Sequence, residues 1–221
     1  MTEAIGQILP LAIAVALSTV PILATILILL SDAKPIVSIA LLVGWAVGVA
    51  SVLTLFTIGI GLIPASFLRR NDSAVGIFRM VLGCVLLVYP VIVWRRHPPR
   101  PPSELPHWMS TLGKINAWGA LGFGIALALR PKNVILSVAG AVVIGDASLR
   151  EGDAAIVIAI FTLVGVSTVA APIIGYLAAP EKTRKPLNAT RTWLVNHGEI
   201  LMVVVSLMAG VVIIGSGIAK L

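Results

Sequence analysis

The sequence predicts an all-α polytopic membrane protein: six transmembrane helices in two inverted three-helix repeats, the first helix of each repeat broken at a proline. Composition is the first reason. Of 221 residues, 58% are hydrophobic and only 11% charged, with a mean hydropathy of +1.06, and a soluble domain of that length cannot hide so much apolar surface. The second reason is length: six runs, residues 5–30, 36–63, 74–94, 117–145, 154–179 and 199–219, each reach the roughly 20 apolar residues that a bilayer crossing needs. The third is a repeat. Ala16, Leu17 and Pro21 recur as Ala126, Leu127 and Pro131 at one offset of 110 residues, and matching breaks in two hydrophobic halves are the outline of a secondary transporter.

The first run carries Glu3 as its only early charge and stays apolar from Ile5 to Leu30, beyond the core of a cleaved signal, so it is expected to be a retained span. Its break is Ala16-Leu-Ser-Thr-Val-Pro21. The second run spaces Gly44, Gly48 and Ser51 at helical intervals, which points to close helix packing. Ser51, Thr54 and Thr57 either line a polar path or bond to carbonyls of their own helix. In the third run Arg79 is expected to snorkel to the surface and Cys84 to be a small buried packing residue. One cysteine excludes intrachain disulfides and two-thiol electron transfer.

Residues 95–116 form a basic, proline-rich linker between the repeats 1–94 and 117–221; Arg95-Arg-His-Pro-Pro-Arg-Pro-Pro favours extended chain without a core of its own. The fourth run is cut at Arg130-Pro131-Lys132-Asn133, so it is either one discontinuous helix or a re-entrant element. The fifth aligns Gly165, Thr168, Pro172 and Gly175 for packing. The sixth begins at Glu199, after a loop holding Lys182, Arg184, Lys185, Arg191 and His197.

Three spans per half is odd, so the halves enter the membrane from opposite sides. Placing the termini outside puts Lys34, Arg95, Arg96, Arg100, Lys114 and the basic residues before the sixth run inside, against Arg69, Arg70, Arg150 and Lys220 outside. The positive-inside rule favours that orientation. The net charge of +7 then belongs to lipid headgroups rather than to nucleic acid.

Chemistry concentrates at the breaks. A proline removes a backbone donor and frees carbonyls, and two cations within one turn are costly below the interface. Arg130, Pro131, Lys132 and Asn133 are therefore the candidate site for an anionic headgroup, with Ser18, Thr19 and Pro21 of the matching break as its second half. No carboxylate lies midway along any run, so ion coupling through a buried acid is not expected; Asp32 and Asp146 are expected to end helices near water. His97, His107 and His197 lack metal-ligand spacing, and no phosphate loop is present, so no enzyme, metal or cofactor is expected.

At Leu17-Ser-Thr-Val-Pro-Ile-Leu23 and Leu129-Arg-Pro-Lys-Asn-Val-Ile135 the chain resembles the GAP family, also called sulfolipid-addressing or Sap-like proteins, of the lysine-exporter superfamily. The resemblance extends over nearly the whole chain, including the six-span layout and the basic linker. It implies a multi-pass protein of a bacterial, typically actinobacterial, inner membrane that helps move glycolipids toward the cell surface. Three functions follow as expectations: export of an anionic or glycosylated lipid, export of small solutes such as amino acids or cations, and a scaffold for a larger lipid pump that moves nothing itself. The expected partners are membrane lipids, the lipid substrate, such a pump and a second copy of the chain in a homodimer.

Overall fold

Without water in the bilayer core, every backbone donor and acceptor must find a partner within its own segment. The chain meets that demand with helices. In the computed structural model the described residues, 1–31, 33–62, 72–96, 115–147 and 149–219, form eight helices and no strand. In order these are α1 (Thr2–Ala16), α2 (Thr19–Leu30), α3 (Pro35–Gly61), α4 (Asp72–Arg96), α5 (Ala117–Ala128), α6 (Pro131–Asp146), α7 (Glu151–Ala178) and α8 (Pro180–Ile218). Asp32, Arg69, Arg70, Lys220 and the linker from His97 to Lys114 lie outside the described residues.

Four helices, α3, α4, α7 and α8, are individually long and apolar enough to cross a membrane. α1 with α2, bent by 48°, and α5 with α6, bent by 63°, each pass as a pair. The helices are thus those of a multi-pass membrane protein, with four candidate spans among the described residues, or up to six if each bent pair is one span.

Glycine sets the two closest helix crossings. α3 packs on α5, where a Cβ on Gly44 would overlap the Leu121 carbonyl and one on Gly48 would come within 2.7 Å of the Ala128 methyl. Gly124 answers from α5, its missing Cβ lying 2.5 Å from the Leu41 carbonyl oxygen. The packing role expected for Gly44 and Gly48 is therefore what the structure uses. The second crossing, α4 on α8, was not read from the sequence: Gly210 faces the Gly83 carbonyl, and Gly217 faces the Gly76 carbonyl seven residues away on each helix. In addition α3 contacts α6 and α7, while α7 contacts α1 and α2. Ile8, Leu11, Val15, Leu53, Leu136 and Phe161 fill the centre, all within 2% of full burial.

Three expectations are corrected. Cys84 is exposed on α4 rather than buried. Arg79 does not snorkel: it is 3% exposed and its Nη2 donates to Asp146 Oδ2 at 3.1 Å, so Asp146 ends α6 in an ion pair. An arginine one turn inside a span reaches the surface only if nothing closer offers a carboxylate, and here the end of α6 does. Finally, the presumed loop before the sixth run is helix. α8 is continuous over 39 residues, and Glu199 and His197 lie within it. Charge lowers the hydropathy of residues 181–199, yet Lys, Arg and Glu are good helix formers. Leu187, Leu194 and Gly198 form the buried stripe that holds this polar portion down.

Candidate functional site

The two breaks share one backbone shape. α1 ends at Leu17 (φ −79°, ψ 28°) and the next residue, Ser18, is extended (φ −77°, ψ 110°) before α2 begins. α5 ends at Leu129 (φ −80°, ψ 2°), followed by extended Arg130 (φ −63°, ψ 141°) and α6. In both, the N–H of the extended residue reaches back three residues, Ser18 to the Val15 carbonyl at 3.1 Å and Arg130 to the Leu127 carbonyl at 3.3 Å.

These elbows correspond at an offset of 112 residues, not the 110 that pairs the prolines. Pro131 is the first residue of its helix and Pro21 the third of its own. Either position starts a helix without losing an intrahelical bond, because the first four N–H groups have no partner in the helix. The proline marks each break without fixing its register.

Freed carbonyls find side-chain donors. At the end of α1, the Ala16 carbonyl accepts from Thr168 Oγ1 of α7. At the end of α5, the Leu127 carbonyl accepts from Asn133 Nδ2 at 3.0 Å. The Asn133 side-chain oxygen in turn accepts from Ser18 Oγ at 2.9 Å, across 115 residues of chain, which joins one break directly to the other. Thr19 Oγ1 donates to the Gly198 carbonyl at 3.2 Å and so ties the first break to α8.

The structure thus brings together the residues that the sequence singled out. Ser18, Thr19, Pro21, Arg130, Lys132 and Asn133 line one cleft of about 50 Å³, closed by Tyr89 of α4 and Met202 of α8. Pro131 is exposed and does not line it. Thr168, Gly198, Tyr89 and Met202 were missed as neighbours of the breaks. Only Thr168 had a signal, a hydroxyl at the spacing of the small-residue face of α7.

Charge in the cleft is one-sided. Lys132 is 6% exposed and its Nζ has no hydrogen-bond partner among the described residues, while Arg130 is exposed at the rim. Among the described residues neither has a salt-bridge partner. A lysine at the centre of a span costs about 2.5–3.5 kcal/mol on insertion scales, against about 1 kcal/mol gained from an ordinary hydrogen bond, so neutral neighbours cannot offset it. The cleft therefore holds positive charge that the described residues do not compensate. By contrast, no group of three or more His, Cys, Asp or Glu side chains is gathered for a metal among the described residues.

Elsewhere the hydroxyls serve their own helices: Thr57 donates to the Leu53 carbonyl at 2.8 Å, and Ser51 is exposed. A family model described as "Sap, sulfolipid-1-addressing protein" matches residues 8–219. No curated protein and no solved structure matches the chain.

Proposed function

The chain belongs to the sulfolipid-1-addressing protein family, a family of lipid export or addressing, and on that premise we propose that it holds the anionic headgroup of a lipid at the joined breaks while the lipid is moved toward the cell surface. The observation that carries this reading is the buried ammonium of Lys132, which among the described residues has no partner and no acid beside it in the cleft. A water needs about 10–15 Å³ of such space, so a cleft of about 50 Å³ has room for one sulfate or phosphate group at Lys132 with the rest of its molecule outside. The acyl chains stay in lipid beside the exposed rim at Arg130.

The six-span inverted repeat belongs to the same proposal. What supports it is reciprocal packing: the long helix α3 lies on the broken pair α5 and α6, the long helix α7 lies on the broken pair α1 and α2, and the remaining two, α4 and α8, lie on each other. Two elbows of one shape, hydrogen-bonded together, fit a pseudo-two-fold axis passing between them. We place the chain in a bacterial inner membrane, its termini outside, with the lysine-exporter superfamily as its wider relationship.

The test replaces Arg130 and Lys132 together by Gln, which keeps hydrogen-bonding capacity and removes charge. Export of the lipid, measured by surface extraction, and its binding to purified protein should both fall at least tenfold while insertion is unchanged. Arg95→Gln with Lys185→Gln, both exposed, should have little effect. Equal loss from the two pairs would indicate general headgroup anchoring, and full export by the Arg130 and Lys132 variant would overturn the reading.

A further inference from the structure

A second and larger cavity, of about 200 Å³, lies at the opposite end of the helices that line the break cleft. The two spaces share α4, α6 and α8: the cleft takes Tyr89, Lys132 and Met202 of these helices in turn, and the cavity takes Arg79, Val143 and Ser216. Ten residues of helix separate Tyr89 from Arg79, about 15 Å along the axis. Between the two ends, Val15 and Leu136 are packed with no exposed surface, both at 0%.

The cavity resembles the cleft in one chemical respect. Each is lined by a deeply buried cation that carries an unpartnered nitrogen, Lys132 with its Nζ at the cleft and Arg79 with its Nε at the cavity. The difference is that one edge of the Arg79 guanidinium is already engaged by Asp146. The other walls are mostly apolar, with Pro10, Leu11, Val143 and Ile213 beside the polar Gln7 and Ser216. Such walls replace none of the water around a free anion but accept the carbon attached to a bound one.

We propose that this cavity is a second binding site for the oxyanion of an amphiphile, a sulfate or phosphate ester of lipid, with Arg79 as its recognition residue and the Asp146 carboxylate as an internal competitor for the same guanidinium. Planar guanidinium suits this role, since it offers paired N–H donors to an oxyanion. A bulk of about 200 Å³ exceeds the ~150 Å³ of voids that take up a benzene-sized group, so the headgroup enters with part of its apolar attachment. Two such stations, at opposite ends of one helix seam, give an anionic lipid a resting place on each side of the packed centre. The inference goes beyond the cleft and does not need it to be correct.

The experiment counts bound phosphatidic acid on the purified full-length protein in mild detergent by native mass spectrometry, with phosphatidylcholine as the neutral control. Wild type should carry two phosphatidic acids. Arg79→Gln should lose one, and Lys132→Gln should lose the other, so failure of either site is seen separately. Asp146→Asn, which removes the competitor and keeps its shape, should tighten the Arg79-dependent lipid about five- to tenfold. Exchange of the pair, Arg79→Asp with Asp146→Arg, should recover thermal stability without recovering the lipid. If the exchange recovers both, or if Asp146→Asn weakens binding, Arg79 and Asp146 are a structural ion pair only and the proposal is wrong. Excess inorganic phosphate should leave the lipid in place; displacement by phosphate alone would make this a free-anion site and overturn the amphiphile.

Discussion

Asn133 is the residue on which the two breaks depend, because its amide faces both ways: Nδ2 satisfies the Leu127 carbonyl and Oδ1 accepts from Ser18. Removing it leaves the buried Leu127 carbonyl with only the 3.3 Å bond from the Arg130 N–H, and the buried Ser18 hydroxyl without its acceptor. Asn133→Ala should therefore destabilise by about 1–3 kcal/mol, the cost of orphaned buried groups, and Ser18→Ala by about 1 kcal/mol. The double variant should cost less than the sum, with a coupling of about 0.5–1.5 kcal/mol read from unfolding of the purified protein. Strict additivity would mean that the Ser18–Asn133 bond does not form. At this scale the sequence was informative about residue type and poor on partners. Lys132 and Arg130 stood out because charge inside an apolar run is rare, whereas Tyr89 and Met202 look like any other apolar positions. A Ser and an Asn 115 residues apart give no sign in one sequence that they touch. Arg79 shows the same blindness in reverse: its charge was plain, but its burial depended on where Asp146 came to lie.

Between residue and molecule, the elements were legible wherever hydrophobicity alone determines them. Apart from the two breaks and a few end residues, all six apolar runs are helical where described, and both breaks fall within the predicted segments. What hydropathy hid was α8, whose first half is charged and yet helical. Glycines tell a similar story, since spacing identified Gly44 and Gly48 but the seven-residue pairs Gly76 and Gly83, Gly210 and Gly217 meet only once α4 and α8 are side by side. A comparison within α3 tests the crossing. Gly44→Ala drives a methyl into the Leu121 carbonyl, a backbone group that cannot swing aside, whereas Gly59 has nothing within 4 Å of an added Cβ. Overpacking costs about 1–3 kcal/mol, and Ala in open space on a helix gains about 0.5–1 kcal/mol over Gly. The melting temperature should accordingly fall for Gly44→Ala and stay level or rise for Gly59→Ala. Equal melting temperatures would show that α3 and α5 do not cross at Gly44.

On the scale of the whole molecule, the question is which ends of the helices share a side of the membrane. α8 at 39 residues is about 59 Å long, nearly twice the ~30 Å hydrocarbon core. Its surplus is the charged first half, with Lys182, Arg184 and Lys185 exposed. If each bent pair is one span, that surplus and the end of α4 at Arg95 emerge on the same face, and the start of α1, the Arg79–Asp146 pair and the end of α8 lie toward the other. Basic charge on the first face predicts that it is the inner one. Single cysteines decide this once exposed Cys84 is replaced by Ser: Thr2→Cys, Ser103→Cys and Ala219→Cys, each treated in intact cells with a membrane-impermeant maleimide. Thr2→Cys and Ala219→Cys should react at once, and Ser103→Cys only after the membrane is opened. The reverse pattern would invert the topology. The test also counts crossings, because three lie between residues 2 and 103 if the α1–α2 pair spans, and two if it re-enters on its own side; the α5–α6 pair stands in the same relation between residues 103 and 219. Labelling of Thr2→Cys and Ser103→Cys from one side would therefore make the first pair a re-entrant element, and with it the two elbows would no longer be halves of an inverted repeat.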